Sequence, residues 1–346
     1  MAYTTIKKPS DYFNTKLYTG NDGTLAISGV GFQPDWTWIK CRSHGGSASF
    51  EHVLTDAVRG VNKTLVSNDT DAETTNNATG YLSVFGSDGF TVTGGDAVNG
   101  VGRTYASWNW LGANGTASNT DGSVTSTVSA NTTSGFSICK FTNPSSAINF
   151  TFGHGLGVAP KMFIMKGLNT SNWQVYNESV GNTYNTQLNY DNASTSAANW
   201  WGSTSPTSTV CTVGADLVET SQDSIAYCFA EVKGFSKFGT YTGNGSTDGT
   251  FIYTGFKPAF FICKRTSDID DWFVFDNKRQ GYNLSNNELR PNTNVAEGTT
   301  QDRIDILSNG IKHRQGGSAQ NRSGDTYMYM AFAEEPLVGD NPATAR

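Results

Sequence analysis

Charge is scarce in this chain: Asp, Glu, Lys and Arg make up 16% of its 346 residues, against about 25% in an average domain. Lys and Arg never cluster, and the formal net charge is −6. The positive footprint that phosphate-backbone binding requires is missing, so no nucleic-acid partner is expected. No apolar run approaches the roughly 20 residues that span a bilayer, and the opening segment lacks the apolar core of a secretion signal. Synthesis in a cytosol without membrane insertion is the expectation. Histidine is limited to His44, His52, His154 and His313, none at metal-ligand spacing, which disfavours a zinc hydrolase. The five cysteines, Cys41, Cys139, Cys211, Cys228 and Cys263, are odd in number and form no CxxC pair. They exclude a disulfide framework and read as small buried apolar residues. Nucleophile elbow, P-loop and dinucleotide fingerprint are all lacking, and no cofactor is expected.

What is present is repetition. Three segments align: Gly31 to Lys40 with Pro34, Gly157 to Lys166 with Pro160, and Gly255 to Lys264 with Pro258. Each has a Gly, a Pro three residues on, and an apolar run ending in Lys six residues after the Pro. Proline fixes φ and removes a donor, which suits the entry to a strand. Other landmarks follow in the same order. His52 to Asp56 matches Trp173 to Asn177 and Trp272 to Asp276; Ser87 to Val92 matches Ser208 to Val213 and Ser308 to His313; Trp108 to Trp110 matches Tyr227 to Phe229 and Met330 to Phe332. The first interval is longer than the second, and the excess lies in residues 112–134, rich in Gly, Ser, Thr and Asn. The division is residues 1–111 as unit 1 with an N-terminal arm, 112–134 as a linker, 135–236 as unit 2, and 237–346 as unit 3 with a C-terminal tail. The short, aromatic join at 232–239 predicts that units 2 and 3 pack together.

Short runs of Val, Ile, Thr and aromatics, separated by turns such as Asn21-Asp22-Gly23, predict an all-β fold: three tandem antiparallel β-sandwich units of jelly-roll or lectin-like type. The Pro-initiated runs are apolar on both faces, so each is expected to be covered by its sandwich core and by a neighbouring unit or subunit. Lys40, Lys166 and Lys264, closing these runs, are expected to reach solvent.

Few residues offer chemistry. The heptad Gly243 to Gly249 fits a turn better than a calcium repeat. Asp69-Thr70-Asp71-Ala72-Glu73 and Asp268-Ile269-Asp270-Asp271 carry clustered carboxylates but align with loop tips. The candidate ligand-binding residues are Asn199, Trp200 and Trp201, with Tyr190 at the head of the same polar stretch. Indole faces there could stack on sugar rings with Asn and Ser groups beside them, or one Trp could pack into the core or a joint between units; the residues leave both readings open.

The opening Met1 to Ile6, Tyr12-Phe13, Lys16 to Gly20, the Gly-Phe-x-Pro motifs at Gly31 and Gly255, and the ending Tyr329 to Pro336 resemble a widespread family of structural proteins of tailed bacteriophages, especially marine ones. The resemblance covers nearly the whole chain and brings no catalytic residues. It implies a virion protein assembled in the host cytoplasm, a non-enzymatic tail fibre, tip or receptor-binding component. Its partners would be other virion proteins and a host cell-surface glycan or protein, and a homo-oligomer, most plausibly a trimer, is expected. With no heptads or collagen-like triplets to form a shaft, the alternatives are a short tip, or a capsid decoration or head-fibre protein. A polysaccharide-cleaving tail enzyme using Asp270, Asp271 or Glu51 is the competing reading from another class.

Overall fold

Throughout the computed structural model, which describes residues 4–43, 50–285, 287–317 and 319–337, short alternating runs form antiparallel strands. The fold is all-β: its helical content among the described residues is two 3₁₀ turns, Pro9–Asp11 and Ala215–Leu217. One strand order occurs three times. The large sheets run opening strand, closing strand, Pro strand, following strand. In the first part of the chain these are Phe13–Thr19, Thr104–Trp110, Trp36–Cys41 and His52–Asp56; in the second, Phe136–Thr142, Asp223–Phe229, Met162–Gly167 and Gln174–Asn177; in the third, Ser236–Thr242, Thr326–Pro336, Phe256–Arg265 and Trp272–Asp276. The register repeats as well, because Trp36↔Asp56, Met162↔Asn177 and Phe260↔Asp276 are paired. Each large sheet has a small companion, centred on Gly89–Thr93, Val210–Val213 and Gly310–His313 respectively.

The two faces of each large sheet are both apolar and have different partners. Ile39, Val53 and Tyr105 pack with Ile27, Phe90 and Val92 of the first small sheet. Phe163, Tyr176 and Cys228 do so with Phe152 and Val213 of the second. The opposite faces meet one another: Trp36, Trp108 and Trp110, then Ile164, Tyr227 and Phe229, then Phe260, Met330 and Phe332 share one cluster. Trp36 stacks on Tyr227 at 4.2 Å, Trp110 meets Phe332 at 5.7 Å, and Phe229 meets Phe332 at 6.0 Å, so all three sheets touch at the centre. The doubly apolar strands that suggested an oligomer are thus covered within one chain.

Polar contacts across the joints repeat with the same cyclic sense. Backbone N–H groups of Glu73, Ser194 and Glu297 donate to the carbonyls of Leu168, Thr266 and Arg42 at 2.8, 3.0 and 3.2 Å. The three lysines run the other way. Lys40, Lys166 and Lys264 are all 0% exposed, contrary to the expectation that they reach solvent. Their ammonium groups donate to the carbonyls of Asn294, Thr70 and Asp191, equivalent loop positions of the adjoining unit, at 3.0, 2.9 and 3.2 Å. A strand covered on both faces leaves its terminal side chain no path to water, so the ammonium is satisfied by loop carbonyls instead. Burial pushes each of the three down to about 8.

Charge pairs complete two of the joints. Asp56 and Arg59 form a buried pair, and Asp56 accepts the Tyr227 hydroxyl at 2.8 Å. Asp276 and Arg279 form the matching pair at 2.6 Å, and Asp276 accepts the Trp108 indole N–H at 3.0 Å. Glu297 joins them, bridging Arg279 at 3.0 Å and Arg42 at 2.8 Å. At the third joint the pair is replaced by Asn177 and Val180, and the position matching Tyr227 and Trp108 is Met330. Charge pair and polar partner disappear together, leaving an apolar contact layer to which Val180 and Met330 both belong.

Two expectations are corrected here. Residues 112–134 are not a loose linker: Ala117–Asn119 and Ser126–Asn131 are strands that extend the second large sheet. Ser126–Asn131 pairs with Phe136–Phe141 along its whole length, because ladder hydrogen bonds need no apolar side chains. Ser126 and Ser129 are buried, and Ser126 donates to the Gly153 carbonyl at 2.6 Å. Pro258, unlike Pro34 and Pro160, lies inside its strand, where the register shifts on both sides of it and the missing N–H is absorbed in a bulge. The five cysteines are buried and carry no disulfide, as expected.

Arg279→Met leaves Asp276 as a buried carboxylate without its counter-charge and takes one of two arginines from Glu297, and should cost about 3–5 kcal/mol in urea denaturation. Limited proteolysis of the folded chain should spare residues 117–131, whereas a linker would be cut there first. His313 is buried against Tyr241, with ring centroids 5.0 Å apart, and burial pushes its imidazole down to about 3. The unfolded chain takes up that proton near 6.5, so this residue costs no stability above that pH and an increasing amount as the pH drops from there towards 3. His313→Phe, which keeps the stacking, should make the melting temperature fall less steeply across that window, with His52 and His154, which burial also pushes down, supplying part of the slope that remains.

Candidate functional site

Alignment of the three following strands isolates one position. Val53, Gln174 and Phe273 occupy it, opposite Ile39, Met165 and Cys263. Val53 and Phe273 fill apolar cores, whereas Gln174 is 8% exposed and its Oε1 has no hydrogen-bond partner. A buried amide oxygen left unpaired costs about 1–3 kcal/mol. It is tolerated at the wall of a cleft of about 420 Å³ between the first and second units, lined also by Thr70, Asn172, Tyr190, Trp200, Asp216 and Glu219.

Each lining residue is held by a local device. The Trp200 carbonyl accepts the Gly214 N–H at 2.7 Å, laying the tryptophan loop along the end of Val210–Val213. Only glycine permits this approach, since a Cβ on Gly214 would stand 1.5 Å from the Asn199 carbonyl oxygen. Asp216 sits on the 3₁₀ turn Ala215–Leu217 that follows. The Glu219 carbonyl accepts Asn143 Nδ2 at 3.0 Å. Asn172 Oδ1 accepts Asn189 Nδ2 at 2.9 Å, and Asn189 Oδ1 accepts the Trp173 N–H at 2.9 Å. Across the joint, Thr70 offers one carbonyl to both the Ser171 N–H at 2.8 Å and Lys166 Nζ at 2.9 Å.

Beside this cleft, acceptor oxygens converge. Asn169 Oδ1, Glu219 Oε2 and Ser171 Oγ lie 2.7, 2.8 and 2.9 Å from where a Cβ on Gly167 would stand. The first two have no hydrogen-bond partner. Burial dominates the lowered pKa of Lys166, while Glu219, Asp71 and Asp69 oppose it, so three carboxylates surround this ammonium. An aromatic face over neutral amides and carboxylates can stack on a sugar ring while accepting its hydroxyl hydrogens.

The matching places at the other joints are filled. Asp270 donates its N–H to the Asp191 carbonyl at 2.8 Å, and Arg265 binds Asp268, Asp270 and Asp325. Glu51 accepts from Asn68 and from Asn294.

Of the four candidates from the sequence, two line the cleft. Tyr190 is 41% exposed there, and Trp200 is half-buried, lining the cleft while packing against the second core. Asn199 is exposed on the adjoining turn but is absent from the lining. Trp201 is a correction as a ligand contact. It is 0% exposed, meets Phe163 at 4.8 Å and Tyr176 at 5.8 Å, and donates its indole N–H to the Tyr184 carbonyl at 2.9 Å. Trp201 thus fills the second core, while Trp200 packs against its edge and lines the cleft. Gln174, Asp216 and Glu219 were missed. Gln174 was legible as the one polar residue at an aligned apolar position; nothing local marks the other two.

The remaining candidates are engaged elsewhere. Asp271 bonds Arg290 and Asn292 at 2.8 and 2.7 Å. Glu73 pairs with Arg59 and Lys63. Asn244 and Ser246 of the glycine-rich heptad are pinned by Asn321 Nδ2 at 3.0 and 2.9 Å, which makes it a turn. His52 accepts the Trp38 indole N–H at 2.9 Å, His154 accepts the Leu156 N–H at 3.2 Å, and His44 lies outside the described residues.

The two adjacent tryptophans should separate by measurement. Trp201→Ala is expected to cost about 3–5 kcal/mol in denaturant, and Trp200→Ala no more than about 1 kcal/mol.

A family model described as a domain of unknown function, DUF7483, matches residues 8–336. No curated protein and no solved structure matches the chain. The matched span runs from ahead of the first opening strand to the end of the last closing strand, so all three sheet pairs fall within one family unit, and the chain belongs to the DUF7483 family.

Proposed function

We propose that this chain is a non-enzymatic structural protein of a bacteriophage particle that holds out the cleft between its first and second units to a glycan on the host surface. The observation that carries this reading is the cleft itself, where Trp200 and Tyr190 stand over Gln174, Asn172 and two carboxylates. Such a set gives a sugar an apolar platform and hydrogen-bond acceptors; because a pair of carboxylates is also what a glycosidase uses, cleavage is to be assayed beside binding. The body around it supports the same reading. Its three sheets bury one another's faces, so the cleft is built on strands locked at both joints, and preorganisation of this kind lowers the ordering cost of binding. The resemblance of the Gly-Phe-x-Pro motifs and of the chain's two ends to phage structural proteins supplies the setting. Weak single contacts suit a component present in many copies on one particle.

The test is binding of the purified chain to host-envelope polysaccharide by calorimetry, with reducing ends assayed in parallel. Trp200→Ala should weaken binding at least about tenfold, the scale of losing one stacking platform, at an unchanged melting temperature. Release of new reducing ends, or undiminished binding by the variant, would overturn the proposal.

A further inference from the structure

The charges around the cleft narrow the class of sugar. Resting on the glycan reading above, we propose that the cleft selects a sugar bearing a free amine and rejects sugars bearing carboxylate or phosphate groups.

The walls present acceptors. Glu219 and Asp216 line the cleft with carboxylates, and Gln174, more than nine-tenths buried, lines it too, its unpartnered Oε1 and the Oε2 of Glu219 being enclosed in the protein. Asp216 is exposed on the lining turn, and exposed Asp69 and Asp71 flank Thr70 on the facing wall. The nearby cation is already used: Lys166 is 0% exposed, and its Nζ donates to the carbonyls of Thr70 at 2.9 Å and Ser171 at 2.6 Å. A ligand therefore meets a surplus of carboxylates. An ammonium brings both positive charge and three donors, a neutral ring brings hydroxyl donors alone, and a uronate or phosphate brings charge of the wrong sign.

The position is specific to this joint. Where Gln174 opens the second unit, Val53 and Phe273 close the others, and the arginine that answers the carboxylates beside Lys264, Arg265, has Gly167 as its counterpart beside Lys166. A side chain at Gly167 would collide with Asn169, Glu219 and Ser171, so the acceptor-lined space depends on that glycine.

The experiment titrates the intact chain at about pH 6, where the amine carries its proton, with tetramers of glucosamine, N-acetylglucosamine and galacturonic acid. The glucosamine tetramer should bind at least about fivefold tighter than the acetylated one, an advantage that 0.5 M salt removes by screening, and the galacturonate should not bind. Asp71→Asn, at an exposed position outside the lining, should shrink the amine preference without weakening the acetylated ligand, and Asp216→Asn and Glu219→Gln, inside it, should weaken the glucosamine tetramer more than the acetylated one. Galacturonate binding as tightly as glucosamine would overturn the charge selection and leave the glycan reading standing. Failure of all three tetramers, together with host polysaccharide, would overturn both.

Discussion

The structure depends on a cyclic exchange of contacts among three sheets, each of which has two apolar faces and cannot leave either in water. One face is covered by a small companion sheet. The other is covered by its two counterparts, through rings such as Trp36, Tyr227, Phe332 and Phe260. Apolar burial supplies the drive but no direction. Orientation comes from polar groups that repeat around the centre: a backbone bond from Glu73, Ser194 or Glu297, and a lysine ammonium returning to the loop carbonyl three residues before it. Because these groups are buried, sliding one sheet past another would strand charges and carbonyls together, which penalises wrong arrangements more than it stabilises the right one.

Much of this was legible beforehand, for identifiable reasons. Alternation, turn residues and recurring Pro-to-Lys spacing specify strands and their order, and the same spacing places Lys40, Lys166 and Lys264 at equivalent points. Their burial was not legible, because a Lys ending a strand has the same local pattern whether it meets solvent or a neighbour's carbonyl. The composition of residues 112–134 suggested a tether because it lacks apolar side chains, yet edge strands are held through backbone bonds, which composition does not report. At the candidate site, Trp200 and Tyr190 were visible as aromatics in a polar stretch. Asp216 and Glu219 became neighbours only through the turn after Val210–Val213, and Thr70 arrives from another unit altogether.

The candidate site lies where the repetition fails. The Asp–Arg pairs of two joints give way to Asn177 and Val180 in the second unit. The core residues Val53 and Phe273 give way to Gln174, and Arg265 to Gly167. Gln174 lines the candidate cleft, and Gly167 lies beside it against Asn169, Ser171 and Glu219. Departures from local consistency are expected at sites kept for reasons other than stability.

Joining the three sheet pairs in one polypeptide has a consequence of its own. In a ring assembled from identical subunits, any substitution appears three times, and a change that opens a crevice would weaken every seam at once. Here the covalent connection breaks that equivalence. Each seam can therefore change alone: the one between the second and third units has given up its charge pair, while the one that carries the cleft keeps Asp56–Arg59.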